Sequence, residues 1–448
     1  MPDAAKDDEE NLPTVIGRSP SDVKKFGTKG AILLGKQYVE KLDRLFLDKN
    51  VYMDVSGAHV IMICGKRGGG KSYTMGVIAE GLSLLEPEVR QNLSIILLDT
   101  MGIYWTMGHA NKKEKALLEP YGLDPHPVEL KIFTPEKYYY EYKKKGIRTD
   151  VPFSLEPHQI TGEDWCSAFR QDKYGANGLY LHKIVEELCE TGKNYFMKDI
   201  FAFIDKDKET SELTRSAVRN MFKTAEGWGV FSEKGTSIDE LAKGGQITVL
   251  DVSCYATMPG GWDVKALVVG IVSQHLFITR MASRKEEELS DIKYVETYFQ
   301  EKSAATSQKQ EMPLVWLVID EAHEFLPKDE ANANAATEPL KIIMREGRQP
   351  GICLVVATQQ PGKINTDVMT QSDTVLSHRI TARLDVQALG LLAQSYMEHG
   401  IERAMNNLPP VKGTAVVFDD LNEKIMMMRV RPRFTWHGGA SPSAIKEE

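Results

Sequence analysis

Several classes of protein are excluded by what this chain lacks. It has five cysteines, Cys64, Cys166, Cys189, Cys254 and Cys353. They are scattered and odd in number, and no C-x-x-C pair exists, which argues against a disulfide or zinc framework. Several fall in apolar runs, where a free cysteine acts as a small hydrophobe. A reducing cytoplasm is the expected compartment. An excess of positive charge is also missing, since the formal net charge is -8. That excludes a wholly basic surface, but a ring with a basic lumen can be acidic overall. No apolar run is long enough to cross a bilayer. The richest, Ala266 to Ile278, is short and ends in Thr279-Arg280. Met1 to Pro13 is acidic and polar, so it reads as a disordered tail and not as a signal peptide. There is no internal repeat.

What is present is Gly65-Lys66-Arg67-Gly68-Gly69-Gly70-Lys71-Ser72, which fits G-x-x-x-x-G-K-[ST]. Val60 to Cys64 before it reads as a buried strand, and Tyr73 to Leu85 after it as a helix. The glycines let backbone N–H groups face phosphate oxygens, and the helix start adds its positive end. Lys71 would reach the β- and γ-phosphates of ATP, and Ser72 would ligate Mg²⁺. The nucleotide-binding set is therefore residues 65 to 72 with Tyr73.

Four more apolar runs read as central parallel strands: Ser94 to Asp99, Ile247 to Val252, Leu314 to Asp320 and Ile352 to Thr358. They are continuously hydrophobic, as strands covered on both faces must be. Helical patterns alternate with them, which predicts an α/β fold with a doubly wound, mainly parallel sheet. From Glu156 to Gly244 the spacing turns helical: Leu179 to Glu190, Tyr195 to Ile204 and Glu212 to Glu226. Thr161-Gly162-Glu163-Asp164 marks a helix start. This segment reads as a helical subdomain inserted into the sheet core. The expected units are a tail over 1–29, a first core part over 30–155, the insert over 156–244, a second core part over 245–428, and a C-terminal inter-subunit arm over 429–448. Glu286 to Glu311 and Asp329 to Thr337 read as exposed segments.

Asp320-Glu321 closes a strong apolar strand. Asp320 would hold Mg²⁺ and Glu321 would orient or deprotonate the attacking water. Gln359, at the end of the next strand, would sense the γ-phosphate. Arg345 and Arg348 follow a helix, where they suit either a guanidinium lent to a neighbouring subunit or a solvated helix end. Arg379 and Arg383 are weaker candidates of the same kind. Two lysine-rich stretches, Lys112 to Lys115 and Tyr138 to Lys145, fit a solvated helix with half-buried tyrosines better than a base-stacking surface.

Together, the phosphate loop, Asp320-Glu321-Ala322-His323-Glu324-Phe325, Arg345-Glu346-Gly347-Arg348, Ala357-Thr358-Gln359-Gln360-Pro361 and the tail Val430 to Gly439 resemble the HerA branch of the FtsK/HerA hexameric translocases. The resemblance implies a RecA-like core in a homohexamer with DNA through the ring and ATP between subunits. In that arrangement Lys71, Glu321 and Gln359 are catalytic, with an arginine of the Arg345/Arg348 pair acting on the neighbour's ATP. It also implies a partner, either a NurA-type nuclease or a defence effector. Arg67 and Gly69 stand where the family loop usually carries Thr and Ser. The N-terminal β-barrel that docks the nuclease is expected to be absent or short, since few residues precede Gly65. The expected function is an ATP-hydrolysing DNA translocase, with a nucleotide-gated ring scaffold for an effector as the alternative.

Overall fold

The computed structural model describes residues 12–41, 44–300, 312–380, 382–390 and 398–439. Thirteen strands form one sheet: β1 (Thr14–Ile16), β2 (Ala31–Lys41), β3 (Arg44–Asp54), β4 (Val60–Cys64), β5 (Leu93–Asp99), β6 (Lys131–Pro135), β7 (Val151–Phe153), β8 (Ile247–Asp251), β9 (Leu314–Ile319), β10 (Ile352–Thr358), β11 (Thr374–His378), β12 (Thr414–Asp419) and β13 (Lys424–Val430). Their order is β1-β3-β2-β13-β12-β11-β4-β10-β9-β5-β8-β6-β7. From β11 to β7 every neighbouring pair is parallel. From β11 through β12, β13 and β2 to β3 the pairs are antiparallel. The five expected strands are five of the eight parallel ones, and helices cover both faces.

Alternation along each strand feeds two cores. Ile61 and Ile63 of β4 pack with Met75, Val77 and Ile78 of the helix Lys71–Ser83. Met62 and Cys64 face the other way, with Val264, Leu267 and Ile271 of the helix Gly261–Gln300. That helix has a stretch long and apolar enough to cross a membrane, which the short run Ala266 to Ile278 did not reveal. Its residues Val264, Leu267, Val268, Ile271, Val272 and Leu276 are buried in the fold, so it serves as a core helix.

The inserted segment is helical, with helices Gly162–Ala168, Ala176–Glu190, Met197–Lys206 and Glu212–Gly227. Thr161 caps the first and exchanges hydrogen bonds with Asp164 as its sequence implies. The insert has no separate core. Trp165 packs on Phe169, Phe222, Trp228 and Phe231, and this aromatic group is continuous with Leu98 and Phe133 of the sheet.

The two ends of the chain differ from expectation. Residues 1–11 lie outside the described residues, but Thr14–Ile16 is a strand and Pro20–Phe26 a helix capped by Ser19. The order arises because β1 adds to β3 and Val15 and Val23 find a small apolar cluster. The expected inter-subunit arm packs on its own chain as far as residue 439. Arg431 and Arg433, both fully buried, converge on buried Glu80 of the helix Lys71–Ser83. Arg431 Nη1 donates to Glu80 Oε2 at 2.7 Å, and Thr435 Oγ1 donates to Oε1 at 2.6 Å. Gly76 makes room, since a Cβ there would sit 2.5 Å from Arg433 Nη1. Of the segments expected to be exposed, Glu286 to Gln300 continues the long helix and 301–311 lies outside the described residues. Asp329 to Ala333 is exposed, but Ala335, Ala336 and Thr337 are buried, and Thr337 Oγ1 donates to the Phe325 carbonyl at 2.9 Å.

Two outcomes follow from these contacts. Glu80→Ala strands two buried guanidinium groups and is expected to cost about 3–5 kcal/mol, read as a lowered denaturant midpoint. His59 lies between Asp54 Oδ2 (3.2 Å) and Asp373 Oδ2 (3.0 Å). Burial alone would lower its pKa, but the hydrogen bonds to Asp373 and Asp54 outweigh burial and raise it to about 9. Its stabilisation is therefore complete below the unfolded value near 6.5 and fades as pH climbs through about 9. Melting temperatures of wild type and His59→Gln should differ most near pH 6 and converge above pH 9.

Candidate active site

The phosphate loop leaves β4 at Cys64, between Thr358 of β10 and Ser377 of β11 in register. Gly65, Gly68 and Gly70 have φ of 156°, 72° and 113°, which side chains rarely adopt. A Cβ on Gly65 would lie 2.7 Å from the His378 Cβ. His378, the last residue of β11, is the floor of the loop. Its Nδ1 lies 2.9 Å from the Thr414 carbonyl and its Nε2 2.9 Å from Thr74 Oγ1. Burial drives its pKa down to about 4, which keeps the ring neutral beneath an anion site. The sequence reading missed His378 because Asp373-Thr-Val-Leu-Ser-His was not read as a strand, though its apolar centre and terminal polar residue were visible.

Lys71 opens the helix and is 5% exposed. Burial lowers its pKa, opposed by Asp320 and Glu321. Ser72 Oγ donates to Asp320 Oδ2 at 2.5 Å, joining the phosphate loop to the end of β9. Asp320 is itself buried, and burial raises its pKa against the Ser72 hydrogen bond. Among the described residues no group of three or more His, Cys, Asp or Glu is disposed to hold a metal. The adjacent oxygens of Ser72 and Asp320 are hard donors of the kind Mg²⁺ takes, in small number, beside phosphate and water. Ser72 and Asp320 would hold it here, where it would neutralise phosphate charge.

Glu321 adopts a left-handed backbone, φ 51°, rare for a side-chain-bearing residue. Its N–H donates to Asp320 Oδ1 at 2.8 Å. Gln359 Nε2 donates to Glu321 Oε1, so the sensor and base candidates are in direct contact. His323 follows in the short turn Ala322–Glu324, with Nδ1 3.7 Å from Glu321 Oε2 and 3.2 Å from Thr358 Oγ1. The sequence reading quoted His323 within the acidic box but gave it no role.

Other expected residues lie elsewhere. Arg345 pairs with Asp367 and is exposed, as is Arg348. Both precede β10 whereas Gln359 follows it, so a seven-residue strand of about 20 Å separates them from their own chain's site. Arg379 is exposed, and its carbonyl accepts from Lys66 N at 3.3 Å, beside the loop. Lys66, Arg67 and Gly68 are exposed at the loop tip. Tyr73 turns away from the phosphate site. Its hydroxyl accepts from Arg433 N at 2.6 Å and donates to Glu114 at 3.2 Å. Asp99 and Asp251, the other strand-end acids, pair in register. Burial and then Asp251 raise Asp99 to about 7, and it accepts N–H groups of Gly102 (2.7 Å) and Tyr104 (2.8 Å). They shape a turn. Of the basic stretches, Glu136–Lys145 is a helix with exposed lysines, and Tyr138 packs on Tyr255.

Comparison with known proteins shows what the chain is similar to. Residues 47–259 match the family described as the central domain of helicase HerA. The chain is 23% identical over 368 residues to a protein of Methanocaldococcus jannaschii named probable DNA double-strand break repair helicase HerA, covering 75% of this chain and 64% of the relative. It is 29% identical over 143 residues to the DNA double-strand break repair helicase HerA of Pyrococcus furiosus, covering 31% of this chain and 25% of that one. This chain thus spans less than two thirds of the length of either relative. The fold resembles that of VirB4 of Thermoanaerobacter pseudethanolicus, with TM-score 0.51, 13% identity, and coverage of 90% of this chain and 97% of the other.

Gly65→Ala places a side chain against His378 in a backbone region that resists it. The strain, about 1–3 kcal/mol, should weaken binding of a fluorescent ATP analogue by roughly tenfold to a hundredfold, without loss of fold by circular dichroism.

Proposed function

From the match to the central domain of helicase HerA and the likeness to the HerA relatives, we propose that this chain is a HerA-like P-loop ATPase, an ATP-driven DNA translocase working as a homohexameric ring. One observation carries the reading. Lys71 and Ser72 of the phosphate loop meet Asp320, Glu321 and Gln359 at the ends of adjoining parallel strands. Lys71 and the loop amides bind the β- and γ-phosphates. Ser72 and Asp320 would hold Mg²⁺, which would supply charge to offset that of the phosphates. Glu321 takes the proton of the attacking water, and Gln359 reads the γ-phosphate. Arg345 and Arg348 cannot reach their own nucleotide across the length of β10, and a neighbouring subunit's nucleotide is the target that suits them. A ring that places each subunit's arginine edge against the next subunit's phosphate loop supplies this geometry. DNA as the polymer is supported by the likeness to DNA repair helicases, and a nuclease or defence effector as partner is what the resemblance of the motif series implies.

Purified protein should hydrolyse ATP, faster with DNA. Lys71→Ala should abolish nucleotide binding. Glu321→Gln should still bind ATP while turnover falls about 10²–10⁴-fold. Normal turnover in both variants would end the reading. Turnover indifferent to DNA, with ATP-dependent capture of an effector, would favour a nucleotide-gated scaffold.

A further inference from the structure

We propose that His323 is a positioning residue for Glu321, taking hold of the base when Gln359 leaves it for the γ-phosphate. The inference rests on the ATPase reading above. As the site stands, the Gln359 amide is spent on Glu321 Oε1. The same N–H cannot report a phosphate while it is bonded to the carboxylate. In the proposed switch the amide, which carries two N–H groups, turns away from Glu321 toward the phosphate.

What then holds the carboxylate is the question. Glu321 Oε2 is buried and has no hydrogen-bond partner among the described residues. An unpaired buried acceptor is costly and is normally satisfied in a working state. The side chain also hangs from a left-handed backbone position, so its direction depends on being held. His323 Nδ1 lies 3.7 Å from Oε2, slightly beyond a hydrogen bond.

The imidazole is well placed for that task because it is anchored to the sensor strand as well as to the acidic turn. Nδ1 lies 3.2 Å from Thr358 Oγ1, and Nε2 lies 3.3 Å from Gln360 Nε2. Thr358 and Gln360 flank Gln359. A shift of Gln359 thus moves the residues that hold the ring. The ring has room to follow, because His323 and Gln360 border a groove of about 1050 Å³ between the insert and the strand ends. When Gln359 turns to the phosphate, a small rotation carries Nδ1–H onto Oε2. The carboxylate keeps one oxygen fixed and leaves the other for water.

The test uses full-length protein with four forms: wild type, His323→Ala, His323→Asn and Glu321→Gln. Asparagine places an amide N–H near the position of Nδ1. His323→Ala is expected to lower kcat about tenfold with KM and ATP-analogue affinity unchanged, and His323→Asn to restore most of that loss. Wild-type kcat in His323→Ala overturns the proposal. So does an equal loss in both His323 variants, or a loss traced to weaker nucleotide binding or a lower melting temperature. These results would leave the ATPase reading standing. Wild-type turnover in Glu321→Gln would instead remove that reading itself.

Discussion

The site depends on three parallel strands ending at one level. β4, β10 and β9 lie side by side, with Cys64 opposite Thr358 and Val356 opposite Ile319. That register puts the phosphate loop, the Gln359 amide and the acidic pair on a single edge. Slipping one strand by a residue would invert its faces and carry its terminal polar group away from the others. The hydrogen bond from Ser72 to Asp320 spans this edge and joins residues remote in sequence. Strand ends are where open α/β sheets gather ligands, because backbone polar groups and helix starts converge there.

Much of this was legible in the sequence because the signals were local. A glycine-rich loop between an apolar strand and a helix states its own geometry. So do buried parallel strands, whose unbroken apolar runs announce that both faces are covered. The capping pair Thr161 and Asp164 was readable for the same reason. What escaped was decided by distant partners. β2 and β3 are long strands without an unbroken apolar run, and the pairing of β2 with β13 brings the two ends of the chain together. His378 has no motif of its own and acquires meaning only where Gly65 and Thr74 come to rest on it.

The reading of Tyr73 failed for an instructive reason. Position after a phosphate loop suggests contact with nucleotide, yet the helix turns that side chain toward Glu114 and Arg433. The C-terminal segment reads in sequence as an inter-subunit arm, and within its own chain Glu80 supplies Arg431 and Arg433 with a buried counter-ion. A charged residue is almost never fully buried unless it is paired, so the partner had to be known first.

The Glu80 junction fastens the segment around Arg431 to Thr435 to the helix that starts with Lys71, although more than half the chain separates them in sequence. Tension or displacement applied near the carboxyl terminus is thereby delivered to the back of the element that starts with Lys71.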